Sequence, residues 1–266
     1  MKIKKKIFRN IHAVAIAALP LTCYAQSEKQ NSGFIIVGPA ASPEYMGSDH
    51  YSLVPMIVSE FWLGSVEVEI EGLTTRAGLY KHHAWTFGLT TEFDFGRDED
   101  IDNAIVARMT EIDPAVNVGL YAAYERDSFL QNDDSLEFRI SGFADGGNTH
   151  EGAYTTLGLA YTLPMVIPWR FQFELETTYA NKNYMSTYFG INNIDSTLSG
   201  LAAYEAGSSL RDITFSTNIG LFFNPTYGVF MRLSAAKLLG DATDSPITNA
   251  GNSEQYFAGL AAYCRF

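Results

Sequence analysis

The chain holds two cysteines in 266 residues, no run of 18 apolar residues, five histidines, and 18 basic side chains against 30 acidic ones. So few cysteines exclude a disulfide-stapled scaffold. The missing long apolar run excludes a membrane-spanning helix. Without a basic excess, the phosphate backbone of a nucleic acid is not an expected partner. No low-complexity linker divides the sequence. An apolar content of 47% against 18% charged residues excludes a disordered acidic tail.

What is present begins with a leader. Lys2, Lys4, Lys5, Lys6 and Arg9 precede a short apolar core from Ile11 to Leu21, and Cys23-Tyr24-Ala25 places small residues where a signal peptidase needs them. Residues 1–25 are therefore expected to be a secretory signal peptide and 26–266 one domain. A lipoprotein reading through Cys23 is disfavoured by Thr22, where Gly or Ala is usual. Without the leader and its five basic residues, 13 basic side chains face the 30 acidic ones. A single cysteine, Cys264, then remains, too few for an internal disulfide.

The rest of the chain alternates with period two. Trp169, Phe171, Phe173, Leu175 and Tyr179 share one parity, and Arg170, Gln172, Glu174, Glu176 and Thr178 share the other. Trp85, Phe87, Leu89, Phe93 and Phe95 repeat the pattern, as do Ile213, Phe215, Ile219, Leu221 and Phe223. This predicts strands over 33–41, 51–61, 64–80, 84–95, 114–125, 135–145, 152–163, 169–180, 198–206, 210–223, 226–239 and 254–266. Parity slips near Gly72, so the third segment holds a bulge or is two strands. Ten strands is the alternative count.

Several segments exceed the usual soluble strand of about 5–6 residues and match the 9–11 that cross a bilayer. The polar parity carries mid-strand charge at Glu67, Glu69, Glu92, Glu137, Arg139, Glu174, Glu176 and Arg232. A dry core would charge several kcal/mol for each unpaired ion, whereas a wet lumen would not. Aromatics recur near strand ends, as in the girdles of membrane barrels. The expectation is an all-β, antiparallel, up-and-down transmembrane barrel of about 12 strands. A secreted β-sandwich, with shorter strands and one wet face, is the competing fold. Counting strands from a periplasmic start puts 42–50, 81–83, 126–134, 164–168, 207–209 and 240–253 outside. It puts the long connections 96–113 and 181–197 on the periplasmic side, against the habit of such barrels.

Two segments carry a family resemblance. Ser42-Pro43-Glu44-Tyr45-Met46-Gly47-Ser48-Asp49 and Leu239-Gly240-Asp241-Ala242-Thr243-Asp244-Ser245-Pro246-Ile247 resemble motifs near the start and end of the MipA/OmpV family of outer-membrane proteins. The final Gly259–Phe266 is similar to its closing strand. The resemblance implies an outer-membrane barrel of a Gram-negative bacterium, in contact with lipid and lipopolysaccharide. It implies a scaffolding role through a murein lytic transglycosylase or a related hydrolase or synthase complex, with 96–113 and 181–197 as the docking loops. It carries no catalytic residues. A porin-like channel with cation preference is the alternative, since acidic residues outnumber basic ones on the polar parity.

Other chemistry finds little support. His82-His83, and His50 or His150 with Asp49, lie in none of the usual hydrolase or zinc-protease settings. Asp49, Asp241 and Asp244 could approach a cation, but their spacing fits no dedicated calcium loop. No catalytic, cofactor or metal residue is assigned, and a non-enzymatic monomer is expected.

Overall fold

The computed structural model describes residues 33–266, so the expected leader lies outside the described residues. Twelve strands are described: β1 (Phe34–Pro43), β2 (Tyr51–Leu63), β3 (Val66–Glu71), β4 (Thr74–His82), β5 (Trp85–Asp94), β6 (Ala115–Asp127), β7 (Ser135–Asp145), β8 (Ala153–Thr162), β9 (Trp169–Ala180), β10 (Ser209–Phe222), β11 (Tyr227–Leu238) and β12 (Glu254–Arg265). Each pairs antiparallel with its neighbours in sequence, and β1 pairs with β12 to close the barrel. Closure removes the open sheet edge, whose backbone groups would find no hydrogen bonds in hydrocarbon. No helix among the described residues is long and apolar enough to cross a membrane.

The parity runs as a transmembrane barrel requires. On β9, Arg170, Gln172, Glu174 and Glu176 line an internal cavity, while Leu175 is 45% exposed on the outer wall. Phe87, Leu89, Phe138, Ile140 and Phe215 are likewise exposed outward, forming the apolar band. Trp85, Tyr124, Trp169 and Tyr227 stand at the strand ends nearest the two termini, and Tyr51, Tyr179 and Tyr256 at the far ends. The seam between β1 and β12 depends on Gly38. A Cβ there would sit 2.2 Å from the Leu260 carbonyl oxygen, so the two backbones meet because the side chain is absent.

Two expected segments are corrected, and the corrections are linked. Residues 64–80 are two strands, β3 and β4. Glu71 pairs with Thr74 around a two-residue turn begun by Gly72 at φ +58°. Residues 198–206 are not a strand; 198–199 end a helix, and the rest is held by the bridge from Tyr204 to Ile191, by burial of Ala206 and by side-chain hydrogen bonds from Ser186 and Tyr204. The total stays at twelve, but every connection between the two errors changes sides. The short turns at 64–65, 83–84, 128–134, 163–168 and 223–226 lie at the end that holds the termini. The connections 44–50, 95–114, 146–152, 181–208 and 239–253 all lie at the far end. Residues 96–113 and 181–197 are thus opposite the termini, not beside them. Apart from the two-residue turn at 72–73, the far end holds every long connection, and no terminal-side turn exceeds seven residues, the ordinary arrangement of a membrane barrel.

Candidate functional site: a roofed and divided lumen

The far-end loops fold into a lid. It contains α1 (Lys182–Phe189), α2 (Asn193–Ser199), α3 (Gly240–Asp244), α4 (Pro246–Asn249) and a 3-10 turn at Val106–Arg108. Local chemistry sets these boundaries. The Asn181 side chain accepts the Tyr184 N–H, and Asn192 accepts those of Ile194 and Asp195. Gly200 ends α2 at φ +80°. Ser245 caps α4 by accepting from the Ile247 N–H, with Pro246 in the first turn.

The lid packs like the interior of a soluble domain. Tyr184, Met185, Phe189 and Ala242 are buried with Phe143 and Tyr154 of the wall. Tyr45, Val106, Met109, Ile191 and Ile247 form a second buried cluster above them. Polar ties cross between loops. Asp195 accepts from the Thr110 N–H and hydroxyl, both at 2.7 Å. The Ser245 hydroxyl donates to the Phe189 carbonyl at 2.6 Å. The first and last far-end loops meet where the Asn252 N–H donates to the Gly47 carbonyl at 2.8 Å. Arg211 fastens α1 to the wall: it pairs with Asp212, donates to the Tyr184 hydroxyl at 2.6 Å, and lies over the Tyr154 and Tyr184 rings.

Below the lid an ion-pair waist crosses the lumen. Arg76 of β4 contacts Glu69 and Glu71 of β3 at 3.3 and 3.1 Å. Arg139 of β7 pairs with Glu137 and reaches Glu69 at 3.7 Å. Arg232 of β11 pairs with Glu71 and, at 2.8 Å, with Glu174 of β9. Glu71 and Arg232 lie 161 residues apart in sequence. The waist separates a cavity of about 450 Å³ on the terminal side from one of about 290 Å³ under the lid. Along β1, β2 and β12 the inner wall is apolar, with Ile36, Ala40, Met56 and Ala261 buried together. The inner face is therefore not polar throughout, contrary to the simple alternation.

The model of the family described as MltA-interacting protein MipA matches residues 35–266. The chain belongs to the MipA family. No curated protein matches it. Among solved structures, it is similar to the NanC porin, at 7% identity and TM-score 0.47, covering 87% of this chain and 100% of that one. It is also similar to the KdgM porin, at 10% identity and TM-score 0.38, with coverages of 89% and 99%. A third likeness is the N-terminal β-barrel domain of Pseudomonas aeruginosa OprF, at 12% identity and TM-score 0.27, with coverages of 89% and 98%. The barrel assignment rests on this chain's own strand pairing, not on these distant likenesses.

The residues weighed from sequence are scattered in this MipA-family chain. His82 and His83 sit at a terminal-side turn, with rings edge to face at 4.1 Å. His50 lies 3.6 Å from Asp49 in the first far-end loop. The Asp241 carboxylate accepts the Gly207 N–H, which holds the lid. Among the described residues no three His, Cys, Asp or Glu side chains converge as metal ligands. Sequence reasoning missed Arg76, whose inward position was hidden by the slip at Gly72. It also missed Glu60 and Glu125, which stand inward on strands of mixed parity.

His150 lies in the far-end loop 146–152 and is 4% exposed. Its Nδ1 accepts the Gly152 N–H at 3.0 Å, so Nε2 carries the proton and donates to Asn117 Oδ1 at 2.8 Å. Burial pushes the imidazole pKa down, against the opposing pull of the Asp145 carboxylate. Folding therefore favours the neutral ring. Its contribution is full above the unfolded pKa of about 6.5 and is lost as pH falls through the lower folded value. Exchange protection of 146–152 is expected to fall between about pH 7.5 and about pH 5, and less so in His150→Gln. Equal pH dependence in both chains would refute this.

Proposed function

We propose that the protein is an outer-membrane barrel of a Gram-negative bacterium that acts as a structural scaffold, without catalysis of its own, for a periplasmic murein lytic transglycosylase. The observation that carries this reading is the lumen. Its roof is a packed hydrophobic core and its waist is a set of buried ion pairs, an arrangement suited to rigidity more than to flow. The family description, which names an interaction with MltA, supports the partner.

A periplasmic partner would meet the short terminal-side turns, not the lid loops. Three turns that follow one another around the wall carry apolar tips. Leu130 is 71% exposed, Val166 67%, Ile167 84% and Phe223 67%. Exposed apolar groups of this kind mark docking surfaces or the lipid boundary. The triple variant Leu130→Asp, Val166→Asp, Ile167→Asp is expected to lose co-purification of the transglycosylase while keeping heat-modifiable folding. Lid-loop deletions are expected to retain it. The reverse pattern would defeat this docking side.

A second reading is a narrow channel with cation preference. It is favoured by the lining of the larger cavity, where eight glutamates face four arginines.

A further inference from the structure

The larger cavity has a division of chemistry that neither a scaffold nor a simple pore requires. One arc of its wall, on β2–β3 and β6–β7, is acidic. Register places Glu60 directly opposite Glu69, and Glu125 directly opposite Glu137. Like charges facing across a strand pair destabilise it. Glu69 and Glu137 are partly offset by Arg76 and Arg139. Glu60 and Glu125 have no ion-pair partner among the described residues.

The other arc, on β1, β10 and β12, is aromatic. Phe34 and Tyr263 have ring centroids 5.6 Å apart, and Phe222 meets Tyr263 edge to face at 4.9 Å. All three rings line the same cavity as the carboxylates. Asn218 lines it too and is 6% exposed. Its amide N–H groups donate to Gln172 and Glu174 at 3.0 and 2.7 Å, yet its Oδ1 has no hydrogen-bond partner. A buried acceptor left unpaired costs about 1–3 kcal/mol, so it is the sort of group a ligand's N–H satisfies.

Unmatched carboxylates, a free buried acceptor and an aromatic wall are together what an organic ammonium needs. The acids neutralise its charge, the amide oxygen accepts its N–H, and the rings take its apolar body and the cation–π attraction. A bare metal ion fits less well, since no convergent ligand set exists among the described residues. The cavity volume of about 450 Å³ falls within the range of small-molecule pockets. We propose that the terminal-side half of the lumen is a binding site for a small organic cation that joins an ammonium group to an apolar or aromatic body. The proposal stands independently of the transglycosylase.

The test is calorimetric titration of the full, detergent-folded barrel with 2-phenylethylammonium. The neutral 2-phenylethanol and the purely aliphatic spermidine serve as controls. Saturable binding is expected, at least about tenfold tighter than phenylethanol, and weakened at least about tenfold in Glu60→Gln/Glu125→Gln. That double variant removes like-charge repulsion, so heat-modifiable folding should persist. Absence of saturation, equal affinity for phenylethanol, or undiminished binding by the double variant would overturn the site. Spermidine binding as tightly as phenylethylammonium would overturn the aromatic half of it. None of these outcomes bears on co-purification of the murein enzyme, so the two readings fail separately.

Discussion

Arg232→Met is expected to destabilise the barrel by about 3–5 kcal/mol, the usual cost of removing one partner from a buried ion pair. Arg232 bridges Glu71 and Glu174 from across the lumen, and its side chain is only 16% exposed. Without it, two carboxylates remain at the waist with one guanidinium fewer between them. Arg76 still holds Glu71, so Glu174 suffers the greater loss. Urea unfolding followed by gel heat-modifiability reads the effect. Neutralising the stranded partners in Arg232→Met/Glu71→Gln/Glu174→Gln should recover most of the stability, because the cost lies in uncompensated charge rather than lost volume. A single variant within about 0.5 kcal/mol of the native chain would show that water, not protein, balances the waist.

The second large effect concerns the lid. Phe189 is fully buried between α1 and the wall, and its carbonyl accepts the Ser245 hydroxyl. Phe189→Ala should cost about 3–5 kcal/mol in the lid core. That core meets the strands only at their far ends, through Phe143, Tyr154, Ala180 and Leu238, so the loss should be local. Hydrogen exchange is expected to show 182–199 and 240–249 losing protection while β6 to β9 keep theirs. Uniform loss across the barrel would show that lid and wall form one cooperative unit. In planar bilayers the native chain is expected to conduct little. The double variant Phe189→Ala/Arg232→Met should pass current with cation preference, set by the glutamates that remain. Anion preference in that variant would count against the acidic lumen as the conducting path.

The family segments near both ends of the chain were legible as motifs before their work was visible. Asp-Ser-Pro-Ile at 244–247 is a capped helix start whose isoleucine enters the lid core. Gly47 takes φ +97°, and Ser48 bonds His50 from both sides of the turn. Both motifs therefore belong to the roof. The short lid helices escaped notice because four to eight residues span about two turns or fewer, too few for a 3.6-residue period to register. Asn192 as a cap and Gly200 as a stop were the available signs that a helix ends at Ser199 and that 198–206 is not a strand.

The sequence by itself determined which side chains face lipid and which face inward on most strands, because a strand turns over every residue and alternation is a local property. It also determined that the ends must meet, since a bilayer tolerates no open edge, whereas the count of twelve held only because one split strand offset one missing strand. Only the tertiary structure decided which end of the barrel each long loop occupies. One glycine turn at 72 reverses the direction of every strand from there to the missing strand at 198–206, and the alternation reads the same in either direction. Only the tertiary structure, too, joined Arg232 to Glu71 and placed Tyr263 beside Phe34. Contacts across a lumen link strands that are distant in sequence, and no local pattern records which charge will find which.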